Sequence, residues 1–233
     1  PPVMALEPYE AEALARWRRE GLPEGVDVVA HLGMARLQWL PCWYGPVPGF
    51  DVRVLEEDDE YLVETTYLGA TVRRRKDRPT LFYGHVDHPV KTRADWEEYK
   101  QRFLPRPDRL PPNWATEVAP ALNASDQPVA LLLFPFYFRT GFYGMGMERF
   151  LSAFHEEPDL MHDIFAHYTE MVVATIRPAL QHAQVDIAVI AEDYAGKNGP
   201  LISPRTYREF WVPHQARVLE VLREFAVPLV CQW

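Results

Sequence analysis

Apolar and polar positions along this chain change period several times, and each change marks a different kind of element. Continuous apolar runs at 128–134, 186–191 and 227–231 are too short for helices and read as strands buried on both faces. The stretch from Asp186 to Phe225 is the clearest unit. Asp186, Ile187, Ala188, Val189, Ile190 and Ala191 form a strand that ends abruptly in Glu192 and Asp193. Gly196, Asn198, Gly199 and Pro200 then break regular structure, and Ser203-Pro204 opens a helix with Ser as N-cap and Pro at the first helical position. Tyr207, Phe210, Trp211, His214, Val218, Val221, Leu222 and Phe225 recur at helical offsets, so one face is apolar, and Pro213 is expected to bend the helix near its first third. The next strand follows, which makes a βαβ unit. Glu192 and Asp193 sit where its first strand ends, and in parallel α/β folds that end binds ligands.

Between 50 and 78 the period is two. Val52, Val54, Tyr61, Val63, Thr65, Ala70 and Val72 alternate with polar residues around turns at Asp58-Asp59 and Leu68-Gly69, which predicts a small antiparallel meander. Its first half is acidic and its second basic, a pattern suited to cross-strand pairing of solvated charges. His85, Asp87 and His88 fall in the loop expected next; their types suit a metal, but a plain polar loop is the simpler reading. The run 104–112 is rich in proline and reads as a surface linker. After the strand at 128–134, Tyr137 and Arg139 are polar tips at a strand end, and Gly141, Gly144 and Gly146 suggest a flexible aromatic loop rather than a dinucleotide fingerprint. Helical spacing covers 11–20, a mixed segment at 28–40, a helix from Thr92, and 113–124, 148–154 and 159–183, the last containing Pro178.

Composition narrows the partners. A formal net charge of −9 over 233 residues disfavours a nucleic-acid groove or an anionic membrane surface as the main partner. Cys42 and Cys231 are too few for a disulfide framework, and no signal peptide or apolar run of transmembrane length is evident, so a cytoplasmic protein is expected. A small-molecule substrate is the partner this pattern favours, and a homodimer is compatible with it.

The segment Ala191-Glu192-Asp193-Tyr194-Ala195-Gly196-Lys197-Asn198-Gly199-Pro200, with Ile202-Ser203-Pro204, Tyr207-Arg208-Glu209-Phe210 and Pro213, resembles the uroporphyrinogen decarboxylase family. Tyr143-Gly144-Met145-Gly146-Met147-Glu148, Glu157-Pro158-Asp159-Leu160, and His88 to Thr92 with Asp95-Trp96 support it. The resemblance implies a single α/β domain over 1–233, a (β/α)8 TIM barrel of the uroporphyrinogen decarboxylase type with the antiparallel excursion outside it. At this unit length the chain is too short for eight units, so the last are expected to be absent. The family includes decarboxylases of tetrapyrrole acetate arms and methyltransferases that work with corrinoid proteins. By resemblance, Tyr137 stands at a substrate-facing position and Asp193 where a small hydroxyl residue lies beside the pyrroles. The arginine-rich motif that grips tetrapyrrole carboxylates is replaced by Glu7-Pro8-Tyr9, and the methyltransferases' zinc-binding His-x-Cys is replaced by Leu229 and Cys231.

Three functions follow as expectations. The first is a carboxy-lyase with Asp193, Tyr137 and Glu192 as catalytic residues and Lys197, Arg139, Glu7 and Tyr194 binding substrate, without a cofactor. A positioned acid would protonate the carbon that loses carbon dioxide, and an anion would stabilise any cationic intermediate. Because neighbouring strand residues face opposite ways, only one of Glu192 and Asp193 should reach the mouth, and Asp193 is the favoured one. Lys197, Asp193 and Tyr137 should share one cavity. The second is a methyltransferase using zinc at Cys231 and a corrinoid protein partner, although a lone strand cysteine reads more simply as a core residue. The third is a binding protein that keeps the fold without the chemistry.

Overall fold

The continuous and the alternating apolar runs segregate into two separate sheets. The computed structural model describes residues 4, 5, 9, 11–77 and 84–232. In chain order, β1 (Met4–Ala5) pairs in parallel with β2 (Ala35–Arg36), and β3 (Gln38–Trp39) leads to an antiparallel group, β4 (Val54–Glu57), β5 (Tyr61–Thr65), β6 (Thr71–Arg75) and β7 (Gly84–Asp87). Then come β8 (Val129–Leu133), β9 (Ile187–Ile190), a small hairpin of β10 (Ala195–Gly196) and β11 (Gly199–Pro200), and β12 (Leu229–Gln232).

The long apolar runs make one parallel sheet in the order β12-β9-β8-β3. Ala130 lies opposite Ile187 and Leu133 opposite Ile190, while Leu229 lies opposite Ile187 on the other side. Asp186 sets that register from its end: its Oδ2 accepts a 2.7 Å hydrogen bond from Val129 N. Helices Tyr137–Met145, Met147–Glu156, Pro158–Leu180 and Val212–Glu224 cover the sheet. Their apolar stripes join β8 and β9 in one core with Phe150, Phe165, Val172, Phe210, Trp211 and Val218, each at most 1% exposed. The parallel, neighbouring arrangement of the three apolar runs matches the pattern of the sequence; the sheet they form is open among the described residues.

Several expectations need correction. The antiparallel excursion has a fourth strand, β7, so His85 and Asp87 lie on a strand and not in a loop. The glycines at 141 and 144 belong to the helix Tyr137–Met145, not to a flexible loop. A Cβ on Gly141 would lie 2.0 Å from Phe150, so glycine here lets the helix lie directly against that ring. The proline-rich run is no mere surface linker: Arg109 is 1% exposed and donates to the carbonyls of Leu104, Trp43, Gly45 and Arg102, tying the run to the preceding loop. A π-helical turn at Tyr207–Trp211 stands just ahead of Pro213, inside a helical run from Pro204 to Glu224. Cys231 is exposed on the edge strand β12 rather than buried in the core. No helix among the described residues is long and apolar enough to cross a membrane.

Candidate active site

Strand β9 ends at Ile190, and the four residues after it are irregular, so strict alternation lapses where the carboxylates sit. Glu192 and Asp193 therefore line the same cavity, contrary to the expectation that only one could. This cavity, of about 860 Å³, is closed on one side by Phe134, Phe138, Arg139, Phe142, Tyr143 and Met147, which come from the end of β8 and the helices after it. The antiparallel excursion supplies the opposite wall through Tyr67, Leu68 and His85. A small apolar cluster, Leu68, Ala70 and Val72 against Tyr143 with Phe142, fastens that wall to the helix.

Glu192 is the buried acid of the site, 3% exposed. Its Oε2 accepts from Phe138 N at 2.8 Å, and its Oε1 accepts from Trp211 Nε1 at 2.7 Å. One donor is a free N–H in the first turn of a helix and the other an indole on the π-helical turn, so three elements meet at one carboxyl. Burial pushes that carboxyl up to about 8, against the pull of the two donors, and Asp193 next to it pushes in the same direction as burial. At neutral pH Glu192 is thus mostly protonated and fixed in place.

Asp193 is exposed toward the cavity and pairs with Arg139, whose Nε lies 2.5 Å from Oδ2. The contact is an ion pair in which the N–H is not aimed at the oxygen as a hydrogen bond. Arg139 Nη1 donates to Tyr143 Oη at 3.0 Å, and the guanidinium lies 5.2 Å from the centre of the Phe134 ring and 5.6 Å from that of Tyr143. His85 packs on Phe142, ring centres 4.3 Å apart, and stacks on His88 at 5.0 Å. Burial, with His88 and Arg139 adding to it, pushes the His85 imidazole down to about 4, so it is neutral at pH 7.

Other expected site residues lie elsewhere. Tyr137 is 2% exposed and turned from the cavity; its hydroxyl bonds Thr169 at 2.7 Å, and its ring stacks on Phe165. Helical geometry separates it from Arg139, because residues two apart face away from each other on a helix. Lys197 is exposed at the turn between β10 and β11 and lines no part of the cavity, so it does not join Tyr137 and Asp193 in one site. Tyr194 faces Tyr207 at 5.8 Å and accepts from Gln232 Nε2 at 2.7 Å, beside the cavity rather than in its wall. Glu7 lies outside the described residues.

Of the two positions compared with the methyltransferases' His-x-Cys, one holds Leu229 and the other Cys231. Leu229 and Cys231 are exposed on β12, and among the described residues no three His, Cys, Asp or Glu side chains are grouped to hold a metal ion. Asp87 is held instead by Lys91, Nζ to Oδ1 2.9 Å.

Sequence reading missed Tyr67, Phe142 and the role of Trp211, and it noted His85 and Tyr143 without placing them in this cavity. Trp211 carried a usable signal, an indole donor on the apolar face of a helix that packs beside the strand ending in Glu192. Tyr67 precedes a tight turn at Gly69, φ 94°, and only the docking of the excursion brings it to the cavity.

A model of the family described as uroporphyrinogen decarboxylase (URO-D) matches residues 61–231. Neither the curated proteins nor the solved structures contain a match to this chain.

Proposed function

The chain belongs to the uroporphyrinogen decarboxylase family, and from that premise we propose that it is a carboxy-lyase acting in the cavity lined by Glu192, Asp193 and Arg139. In this reading the bond between a substrate carbon and its carboxylate breaks, carbon dioxide leaves, and the electron pair stays on carbon. Glu192 delivers its proton to that carbon and is reprotonated from solvent. Arg139 holds Asp193 in place beside the reacting carbon, and the aromatic walls keep water away from that carbon. No cofactor takes part in this route.

The observation that carries the proposal is the Glu192 carboxyl, buried at the cavity wall, held by two donors and raised to about 8. A general acid works best with a proton affinity near the working pH, which an ordinary glutamate lacks. The family match accommodates methyl transfer equally, and the buried Glu192 carboxyl is what favours decarboxylation over it.

The test is carbon dioxide release by the full chain from uroporphyrinogen and, separately, from a set of aromatic carboxylic acids. Glu192→Gln should lower the rate on whichever substrate is turned over by roughly a hundredfold to ten-thousandfold, the usual worth of a positioned acid. A Glu192→Gln protein that is folded and as fast as the unchanged one overturns the proposal.

A further inference from the structure

The cavity's charges and walls restrict what can enter it. Arg139 brings one positive charge and Asp193 one negative, within one ion pair. Its volume, about 860 Å³, suits a ligand of drug size rather than a small metabolite alone. The lining is mostly apolar and aromatic, with Phe134, Phe138, Phe142, Tyr143 and Tyr67 among it. Its polar side chains set the donor Arg139 and the hydroxyls of Tyr67 and Tyr143 beside the carboxyls of Glu192 and Asp193. Arg139 meets Asp193 through Nε and Tyr143 through Nη1, and Tyr67, 44% exposed, lines the same cavity.

Resting on the reading of this cavity as the active site, we propose that its substrate class is a planar aromatic monocarboxylate, with the carboxylate on Arg139 and the ring against Tyr67. A guanidinium bridges two carboxylates readily, because its donors point along two edges, so Asp193 can keep one edge while the ligand takes the other. A second or third ligand carboxylate would find no Lys or Arg besides Arg139 among the described lining residues and would face Asp193. A ligand ammonium would meet a carboxylate already neutralised by Arg139. Tyr67 comes from the antiparallel excursion, which makes that sheet the part of the molecule that sorts substrates, while the parallel sheet supplies the acid and the ion pair.

The experiment is calorimetric binding to the full chain with four probes: naphthalene-2-carboxylate, its carboxamide, naphthalen-2-ylmethylammonium and benzene-1,3,5-tricarboxylate. The carboxylate should bind at least roughly tenfold tighter than the carboxamide, the loss expected for one charge-assisted contact. It should also exceed the ammonium and the tricarboxylate. Arg139→Met should remove the preference for carboxylate over carboxamide. Tyr67→Ala, at an exposed position that leaves the core intact, should weaken all naphthalene probes by roughly twofold to tenfold and leave the carboxylate preference in place. Equal affinity for carboxylate and carboxamide, stronger binding of the tricarboxylate, no effect of Tyr67→Ala, or no binding of the carboxylate each overturns the inference. The proposed chemistry fails separately: tight, Arg139-dependent binding of the carboxylate with no carbon dioxide released from any aromatic acid supports the substrate class and removes the lyase. Turnover of uroporphyrinogen by a protein that ignores the carboxylate does the reverse.

Discussion

The parallel sheet and the antiparallel excursion meet at one cavity but are held together by different forces. Residues of β8 and β9 are almost wholly buried, with Ala130, Leu131, Leu133 and Ala188 at 0% exposure, and their stability is that of close-packed apolar atoms. In the excursion, all of β4 is exposed, β5 is half-buried throughout, and cross-strand pairs such as Glu64 with Arg74 and Glu57 with Lys76 line the surface. Tyr61 has Arg73 stacked over its ring, 3.9 Å from the centre. The difference separates two duties. The rigid sheet holds the residues whose geometry must not drift, Glu192 above all, whereas the excursion carries Tyr67 and His85 on a weaker frame that tolerates change. A site built at such a seam can alter what it binds without disturbing the acid.

The largest break in this comparison should come from Trp211→Ala. Trp211 is 0% exposed, packs on Phe165 with ring centres 4.7 Å apart and donates to Glu192, so truncation leaves both a cavity and a carboxyl short of a donor. Urea denaturation should show a loss of about 3–5 kcal/mol.

Changing the pH should distinguish the two walls of the cavity with a smaller effect. The folded Glu192 keeps its proton up to about 8, against an ordinary value of 4.5, so its stabilising contribution is complete at low pH and declines as the pH climbs between those values. The decline is at most about 1.4 kcal/mol per pH unit. His85 has the opposite sign: its folded value is depressed to about 4 from 6.5, so its contribution is present above 6.5 and is lost as the pH falls toward 4. Because His85 is half-exposed, solvent screening weakens that limb. His214, at the end of the Tyr137–Thr169 hydrogen-bond chain, half-buried and also pushed down to about 4 by burial, adds to the acid limb under similar screening. Denaturation between pH 5 and 8.5 should show that Glu192→Gln flattens the alkaline limb and His85→Phe part of the acid one. Parallel curves for the unchanged protein and Glu192→Gln would remove the buried acid from the account.

The smallest expected effect is in the excursion. Arg74→Ala breaks the Glu64 pair, 2.7 Å and partly shielded, and should cost under about 1 kcal/mol in the same denaturation series, less as salt is added. A cost as large as that of Trp211→Ala would mean that the excursion folds as one unit with the core.

Much of the framework was legible along the chain. The runs at 128–134, 186–191 and 227–231 became three adjacent parallel strands, the alternating segment became an antiparallel sheet, and the two carboxylates fell at a strand end, as local periodicity dictates. Cys231 reads as a core residue from its apolar strand, whereas among the described residues β12 has a neighbour on one side only and the thiol is exposed. Tyr137 misled because the residues after β8 turn directly into a helix, which sends Tyr137 into the core and Arg139 to the cavity.

The sequence by itself determined the strands of the parallel sheet, the alternating excursion, the acidic strand end and the resemblance to the family, since these follow from hydrophobic period and motifs that are local in the chain. Tertiary structure alone decided that Glu192 is buried between Phe138 N and Trp211 Nε1, that Asp193 is paired with Arg139, and that Tyr67 and His85 face them. The physical reason is distance along the chain: the groups that desolvate Glu192 and pair Asp193 arrive from 19 to 54 residues away, and a proton's affinity or an ion pair depends on what surrounds a side chain in space.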